Sequence, residues 1–302
     1  MFLKEIKQKI NSTKRISQVT KALELVSAVK MKKAQKAALL SRPFARKVIE
    51  ILKRLYEHQE KYLAQRSFYF QEREVKKVLV AVITSDKGFC SSFNQNILKF
   101  ADKEIKKIET EAEVEIMPIG KKAISFFKKK NRTIKIEFTG IGDYGKLEEI
   151  KPIARLFLRY FEEDKYQKVY IFYTEFISTF IQETRRIQLL PAQRQVFEEM
   201  LVDKAGENGS QPENNDYIFE PNAAKIFNNL IPQLIEFEVH QAVLEANASE
   251  HSARMMAMKN ASQNAKEIIE KLTLNYNKVR QNQITSEISE ISSAKEVMTN
   301  LN

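Results

Sequence analysis

The chain has 302 residues, of which 43% are hydrophobic and 29% are charged, and this composition excludes an intrinsically disordered protein. Its formal net charge of +11 predicts an anionic partner, which could be nucleic acid, an acidic membrane surface or acidic protein loops. The single Cys90 excludes an internal disulfide framework and fits a reducing compartment. No apolar run approaches the roughly 20 residues that a membrane-spanning helix needs, and the first residues lack the pattern of a secretory signal. We therefore expect a cytoplasmic protein.

The first segment, residues 1–66, is predicted to form a long helix. It contains no glycine, and its only proline is Pro43, where we expect a kink or a break. Four apolar residues follow the three-four spacing of a helix that packs against another helix: Ile16, Val19, Leu23 and Val26. The same spacing then reaches Lys30 and Lys33, so the predicted packing surface becomes cationic.

The middle segment, residues 75–220, alternates between strand-like and helix-like patterns. The apolar run Val78 to Ile83 is typical of a strand that is covered on both faces of a parallel sheet. Further strands are predicted at Val114 to Met117, Ile134 to Phe138, Val169 to Tyr173 and Arg185 to Leu190. Helices are predicted at Phe93 to Ile108, Lys121 to Lys130 and Leu147 to Phe161. This alternation predicts a Rossmann-like α/β domain, followed by a surface loop at Asp203 to Asp216.

The last segment, residues 221–302, is predicted to form a second long helix. We place Pro232 in its first turn, and no glycine or proline follows that residue. A heptad track runs through Met258, Ala261, Ala265, Ile268, Leu272, Asn275 and Val279. Beyond it the residues Arg280 to Gln283 are polar, so we expect a helix end that is poor in apolar contacts. The helix would be on the order of 100 Å long.

Taken together, the three segments predict an α/β fold combined with long helices. The N-terminal and C-terminal helices are expected to pair as an antiparallel two-helix coiled coil, with the Rossmann-like domain between them in sequence.

Three stretches of the sequence resemble the gamma subunit of the F-type ATP synthase. The stretch Ala253 to Ile291, ARMMAMKNASQNAKEIIEKLTLNYNKVRQNQITSEISEI, is similar to the C-terminal signature of that family. In addition, ITSDKGFCSSFN (Ile83 to Asn94) and KALELVSAVKMKKAQ (Lys21 to Gln35) resemble two further family segments in the same order. The paired cysteines of the plant-type redox insertion are absent, so the resemblance implies no thiol switch.

The resemblance implies a central rotor shaft that transmits torque between an ion-driven c-subunit ring and a catalytic ring of alpha and beta subunits. The chain would also contact a small epsilon-type subunit, and it would not be an enzyme by itself. It would be peripheral to the cytoplasmic face of a bacterial plasma membrane and would need no cofactor or metal.

The resemblance also assigns possible contact residues. Arg280, Gln281 and Thr285 match positions that meet a catch loop of the beta subunit. Lys30 and Lys33 are weaker candidates for contact with acidic loops of the alpha and beta ring, because an ordinary solvated helix face explains such lysines better on the sequence alone. Weak polar contacts would suit a shaft that exchanges partners at each step of rotation, since each contributes only about 1 kcal/mol.

Two alternatives follow from other features of the sequence. The segment GIGDYG (Gly140 to Gly145) fits a dinucleotide-binding loop, although it does not follow the first strand and no acidic residue is suitably placed for a ribose. The basic composition is also compatible with a coiled-coil adaptor that binds nucleic acid, although no aromatic residues are interleaved with the lysines. Asp86, Lys87 and Cys90 are interpreted as a turn with a buried thiol.

Overall fold

A computed structural model describes residues 3–58, 68–70, 72–142, 145–192 and 223–299 of the chain. The helices are α1 (Leu3–His58), α2 (Phe93–Ile108), α3 (Lys121–Lys129), α4 (Leu147–Glu162) and α5 (Ala223–Thr299), with a 3-10 turn at Phe68–Phe70. The strands are β1 (Lys77–Ile83), β2 (Glu113–Ile119), β3 (Lys168–Phe176) and β4 (Gln182–Leu190). The predicted loop at Asp203 to Asp216 lies outside the described residues.

The chain divides into two compact units. One unit consists of residues 1–27 and 254–302, which are the two ends of the sequence, and the other consists of residues 28–253. The two long helices α1 and α5 each contribute residues to both units. The predicted division at residues 66, 75 and 220 remains a prediction.

The unit of residues 28–253 is built on a four-stranded mixed sheet in the order β2-β1-β3-β4. The first three strands are parallel, and β4 pairs with β3 in the antiparallel direction. Six of the seven residues of β1 are buried, as expected for a central strand covered on both faces. The predicted central α/β fold is therefore confirmed, with an antiparallel edge strand.

Each face of this sheet is covered by helices. Helices α2 and α3 cover one face, where Val80, Ile97 and Phe127 belong to one apolar cluster. Helix α4 covers the other face together with residues of α1 and α5, and its Phe157 is buried there with Ile171 of β3. The sheet therefore lies in the middle of a three-layer core.

One predicted strand is wrong. Ile134 and Phe138 each form only an isolated parallel bridge to β2, with Ile116 and Ile119 respectively. Lys135, Glu137 and their neighbours alternate between half-buried and exposed positions, so the segment has the period of a strand. It lies along the outer edge of β2 but does not form a continuous ladder.

The packing face predicted for α1 is also wrong. Ile16, Val19, Leu23 and Val26 are 54%, 59%, 37% and 51% exposed. The buried positions of α1 in this unit are instead Ile6, Ile10, Thr20 and Ser27. These two sets follow the same three-four spacing on different faces of the helix, so periodicity could not choose between them.

The heptad track predicted in α5 is correct in part. Met258 and Ala265 are buried, and Ala261, Leu272 and Val279 are half-buried. Ile268 is 48% exposed and Asn275 is exposed, whereas their neighbours Ile269 and Tyr276 are half-buried. The buried track therefore moves by one residue at these two points.

Two prolines lie inside helices where the sequence predicted a break or a beginning. Pro43 lies within α1, which continues to His58, and Pro232 lies within α5, which begins at Ala223. A proline removes one intrahelical hydrogen bond and costs about 3 kcal/mol, which packing along a long helix can offset. The helices therefore continue through both prolines.

Candidate functional site

The loop that follows β1 joins three parts of the α/β unit through Asp86. One carboxylate oxygen of Asp86 accepts a hydrogen bond from the backbone N–H of Lys121 at 2.9 Å. The other accepts from the backbone N–H of Gly140 at 2.8 Å. Because Lys121 is the first residue of α3, the carboxylate lies at the positive end of that helix. Asp86 thus connects the end of β1 to α3 and to the segment GIGDYG (residues 140–145), which we call the glycine loop.

A second contact fixes the beginning of α3. The Thr84 hydroxyl accepts a hydrogen bond from the backbone N–H of Ala123 at 2.9 Å and donates to the carbonyl of Ile119 at 3.3 Å. Gly120 has a φ of 103°, and a Cβ added there would lie 2.2 Å from the carbonyl oxygen of Thr84. Only glycine therefore fits between β2 and α3 at this position.

The single thiol belongs to a buried polar network. The Asn94 side chain accepts a hydrogen bond from the backbone N–H of Ser85 at 3.0 Å, and its amide donates to the Ser85 hydroxyl at 2.8 Å. The same amide lies 3.0 Å from the Cys90 sulfur, and Cys90 is only 2% exposed. This geometry agrees with the interpretation of Cys90 as a buried structural thiol.

Two backbone amides of the glycine loop, those of Gly140 and Gly142, donate to carboxylates of the chain itself. The N–H of Gly140 is bound by Asp86, and the N–H of Gly142 donates to a carboxylate oxygen of Glu149 at 2.8 Å. In a phosphate-binding loop these groups would point at the anion. Here carboxylates of the same chain occupy the anion positions, so the geometry does not support dinucleotide binding.

The glycine loop is instead fastened to α5 within the same unit. The Nε2–H of His240 donates to the carbonyl of Gly145 at 2.7 Å, since a carbonyl can only accept, and Asn247 donates to the carbonyl of Gly142 at 3.2 Å. Burial lowers the pKa of His240, although the Gly145 carbonyl opposes that shift. His240, Asn247 and Glu149 could not be recognised from the sequence, because no local spacing connects them to the loop.

A polar pocket of about 230 Å³ lies between the loop after β1, the glycine loop and α5. Its lining residues include Asp86, Lys87, Asn247 and Glu250. Among the described ranges of the chain, no group of three or more histidine, cysteine or acidic side chains is arranged to hold a metal ion. Within the same ranges, no helix combines the length and the apolar character needed to cross a bilayer.

The residues assigned to a catch loop lie on an exposed stretch of α5. Arg280, Gln281 and Thr285 are all exposed, and the Thr285 hydroxyl donates to the carbonyl of Gln281 at 2.9 Å within the helix. Every residue of α5 from 280 to 294 is exposed. These side chains are thus available to a partner, and their assignment to a beta subunit remains a prediction.

The same stretch carries apolar residues that the sequence analysis did not expect. Ile284, Ile288 and Ile291 are 46%, 59% and 69% exposed and follow a four-three spacing along α5. The end of α5 therefore carries more exposed apolar surface than the polar residues Arg280 to Gln283 indicated, although none of it is buried within the described chain. The stripe continues beyond the polar residues, but no described residue of the chain covers it.

The two lysines assigned to acidic loops differ in their surroundings. Lys30 is half-buried and Lys33 is exposed, whereas the buried residues on this part of α1 are Met31, Ala34 and Ala38. The predicted cationic continuation of the packing surface is therefore wrong, because the buried track passes beside the lysines. Their contact with a partner stays a prediction.

Exposed apolar stripes on long helices are typical of surfaces that a partner covers in a larger assembly, and the described residues of the chain leave the stripe on α5 uncovered. A family model described as ATP synthase matches residues 2–298. The chain is 38% identical over 298 residues to the ATP synthase gamma chain of Chloroflexus aurantiacus, covering 98% of each chain. It is 36% identical over 292 residues to that of Pelotomaculum thermopropionicum, covering 96% of each. The chain belongs to the ATP synthase gamma chain family.

Solved structures share the fold. A chain from the central stalk and c ring of the Tetrahymena thermophila mitochondrial ATP synthase aligns with a TM-score of 0.60 at 24% identity, covering 81% of this chain and 99% of that one. A chain from the rotor of the Euglena gracilis enzyme aligns with a TM-score of 0.59 at 17% identity, covering 93% and 98%. The family resemblance stated from the motifs is thus confirmed, and the nucleic-acid adaptor has no support from these relatives.

Proposed function

We propose that this chain is the central rotor subunit of a bacterial ATP synthase, which transmits torque between a c-subunit ring and a catalytic ring of alpha and beta subunits. It has no catalytic residue of its own and also meets an epsilon-type subunit. As a peripheral protein it lies at the cytoplasmic face of the membrane. Membership of the gamma chain family and the central-stalk and rotor relatives support this function.

One structural observation carries the proposal. Residues 1–27 and 254–302, from opposite ends of the sequence, belong to one compact unit. In each segment the buried side chains follow a three-four repeat, for example Ile6 and Ile10 in α1 and Met258 and Ala265 in α5. Such a repeat on two long helices is typical of a coiled coil, and a coiled coil is stiff enough to act as a shaft. We therefore propose antiparallel pairing of the two terminal helices.

Cysteine cross-linking tests this pairing directly. Ser27 and Arg254 mark the inner limits of the unit, so an antiparallel pair would align them with each other. Because both helices rise by about 1.5 Å per residue, Ile6 would then lie close to Tyr276. In a Cys90→Ser background, Ile6→Cys should form a disulfide with Tyr276→Cys. It should not form one with Ser262→Cys, which serves as the matched control. A parallel pairing would reverse the result, and no cross-link with either partner would contradict the coiled coil.

The exposed stretch of α5 is proposed to contact the catalytic ring. Arg280, Gln281 and Thr285 would exchange polar contacts with beta-subunit catch loops as the shaft turns. Each exposed contact is worth about 1 kcal/mol or less, so contacts can be exchanged without a large barrier. The exposed isoleucines nearby fit an apolar surface in the same assembly.

A coupling assay tests the function. The assembled complex should be reconstituted into vesicles with wild-type chain or with Arg280→Ala and Gln281→Ala together. We expect reduced ion-driven ATP synthesis from the variant, because two exchangeable contacts are lost while the helix itself is retained. Asn282→Ala is the matched control, since Asn282 is an equally exposed neighbour. Synthesis by the double variant at the rate of the control would refute the assignment of these two residues.

A further inference from the structure

Helices α2 and α3 form a separate surface on the α/β unit. Their inner residues, including Ile97, Ala101 and Phe127, are buried against the sheet. Their outer residues are basic: α3 contains no acidic residue, and α2 contains only Asp102 and Glu104. The family assignment and the proposed rotor contacts give no role to this outer surface, which we name the basic layer.

Five exposed lysines of the basic layer have no ion-pair partner among the described residues of the chain. They are Lys99 and Lys103 on α2 and Lys121, Lys122 and Lys129 on α3. Because α2 and α3 cover the same face of the sheet and these lysines are exposed, we place them on the outer side of that face. Their charge is therefore not neutralised within the described part of the molecule.

The two acidic residues of α2 do not restore neutrality at this surface. The side chains of Asp102 and Glu104 are only 13% and 12% exposed, whereas those of Lys106 and Lys107 are 64% and 62% exposed. Burial opposes ionisation of Asp102, but the Lys130 ammonium at 2.7 Å and nearby cations outweigh it and lower the pKa of Asp102. The negative charges thus lie below a positive outer surface.

The carboxylate of Glu104 is also neutralised by cations of the chain. It pairs with Lys107 at 2.7 Å and with Arg186 of β4 at 3.0 Å, so it is shared with the edge of the sheet. The aromatic residues at the edge of this surface, Phe100 and Phe126, are half-buried and pack edge-to-face on Phe172 and Phe127. The Lys130 ammonium lies 4.9 Å from the centre of the Phe126 ring, so that ring already has a cationic partner within the chain.

We infer that the basic layer attracts the anionic headgroups of a phospholipid membrane surface. Lysine ammonium groups act as strongly hydrated point charges that suit a diffuse array of headgroups, whereas specific phosphate or carboxylate recognition favours arginine. Single-stranded nucleic acid fits less well, because the half-buried rings of the layer are already packed against other rings of the chain. A lipid surface is also laterally uniform, so attraction to it does not create fixed stopping positions for a rotating subunit.

Vesicle binding by the full-length chain tests the inference. Wild-type chain should bind vesicles of mixed phosphatidylglycerol and phosphatidylcholine, should not bind pure phosphatidylcholine, and should lose binding as salt is raised. Each lysine near an anionic surface contributes about a fivefold increase in binding. Replacing four should therefore weaken binding by up to about 600-fold, and by at least about 20-fold if only two of the four approach the surface. The variant carries Lys99→Gln, Lys103→Gln, Lys122→Gln and Lys129→Gln.

A control variant removes the same net charge from another exposed surface. It carries Lys4→Gln, Lys7→Gln, Lys9→Gln and Lys14→Gln, all at exposed positions of α1. The control should retain binding within about threefold of wild type, because its lysines lie outside the basic layer. Arginine at the four basic-layer positions should also retain binding, which separates loss of charge from loss of folding.

Three results would overturn the inference. They are absence of wild-type binding to the mixed vesicles, equal losses in the two glutamine variants, and tighter wild-type binding to duplex DNA than to vesicles at the same salt. The inference goes beyond the proposed rotor function, and its test leaves Arg280 and Gln281 unchanged. Failure of vesicle binding would therefore leave the coupling assay unaffected.

Discussion

The contact made by Asp86 leads to a quantitative prediction about the loop after β1. In Asp86→Ala, the backbone N–H groups of Lys121 and Gly140 lose their carboxylate acceptor. A hydrogen bond to a charged group contributes about 1.5–3 kcal/mol, and the carboxylate at the start of α3 adds about 0.3–1 kcal/mol. Asp86 is half-buried, so water replaces part of the loss. We expect the α/β unit to be destabilised by about 2–4 kcal/mol.

Substitution by asparagine separates the two bonds. The side chain of Asp86→Asn has a single acceptor oxygen and can serve only one of the two amides, so we expect a loss of about 1–2 kcal/mol. Chemical denaturation should give the ranking wild type, asparagine, alanine. Amide hydrogen exchange should accelerate in the peptides that contain Lys121 and Gly140.

Glu111→Ala is the matched control for these variants. Glu111 is exposed and its side chain makes no hydrogen bond or ion pair among the described residues, so its removal should change stability by no more than about 0.5 kcal/mol. Our reasoning would be refuted if Asp86→Ala matched this control in both unfolding and exchange. That outcome would mean that water satisfies both amides as well as the carboxylate does.

Three further predictions concern the same unit. Burial lowers the pKa of His240 below the unfolded value of about 6.5, so the unfolded chain binds the proton first as pH falls. The free energy of unfolding of the wild type should therefore decrease below about pH 6.5. His240→Gln, whose amide can still donate to Gly145, should lose less stability than the wild type between pH 7.5 and pH 5, each about a unit or more from 6.5, as chemical denaturation can measure. Gly120→Ala should destabilise by more than about 3 kcal/mol, whereas Gly88→Ala, where no atom lies within 4 Å of the added Cβ, should be tolerated. Cys90 should resist alkylation by a bulky thiol reagent until the chain is denatured, as mass spectrometry can measure.

Much of the α/β unit could be predicted from local patterns. The apolar run at Val78 to Ile83 can bury the side chains of both its faces only between two helical layers, and the structure confirms it as the central strand. The amphipathic segment Phe93 to Ile108 has the predicted bounds of α2. Such elements are predictable because one short sequence and one apolar surface determine each of them. The strand predicted at Ile134 to Phe138 is wrong, because pairing along the edge of β2 depends on a partner that is distant in sequence.

Contacts across the α/β unit were less predictable from sequence. Asp86 belonged to a recognisable motif, but its acceptance of hydrogen bonds from Lys121 and Gly140 depends on the order of strands in the sheet. The link between His240 and Gly145 joins residues that are 95 positions apart. No local periodicity encodes such a pair, so the hydrogen bonds between the glycine loop and α5 can be recognised only in the folded structure.

The glycine loop illustrates why a spacing motif does not determine a binding site. Glycine permits close approach to the backbone at Gly140 and Gly142, but the approaching group can be a ligand phosphate or a carboxylate of the chain itself. Asp86 and Glu149 provide those carboxylates, and a bound anion would have to displace both against charge repulsion. The same backbone geometry therefore stabilises a joint between secondary-structure elements here. What distinguishes the two uses is the charge placed opposite the amides.

The terminal helices show how a subunit divides its apolar residues between folding and assembly. On α1 the more hydrophobic track, with Ile16 and Val19, is exposed, while the buried track includes Thr20 and Ser27. A chain that functioned alone would gain stability by burying the first track, at about 25 cal/mol for each Å². An exposed apolar track of this kind is typical of a surface that contacts a partner in an assembly. Sequence patterns report apolar faces without stating which chain covers them.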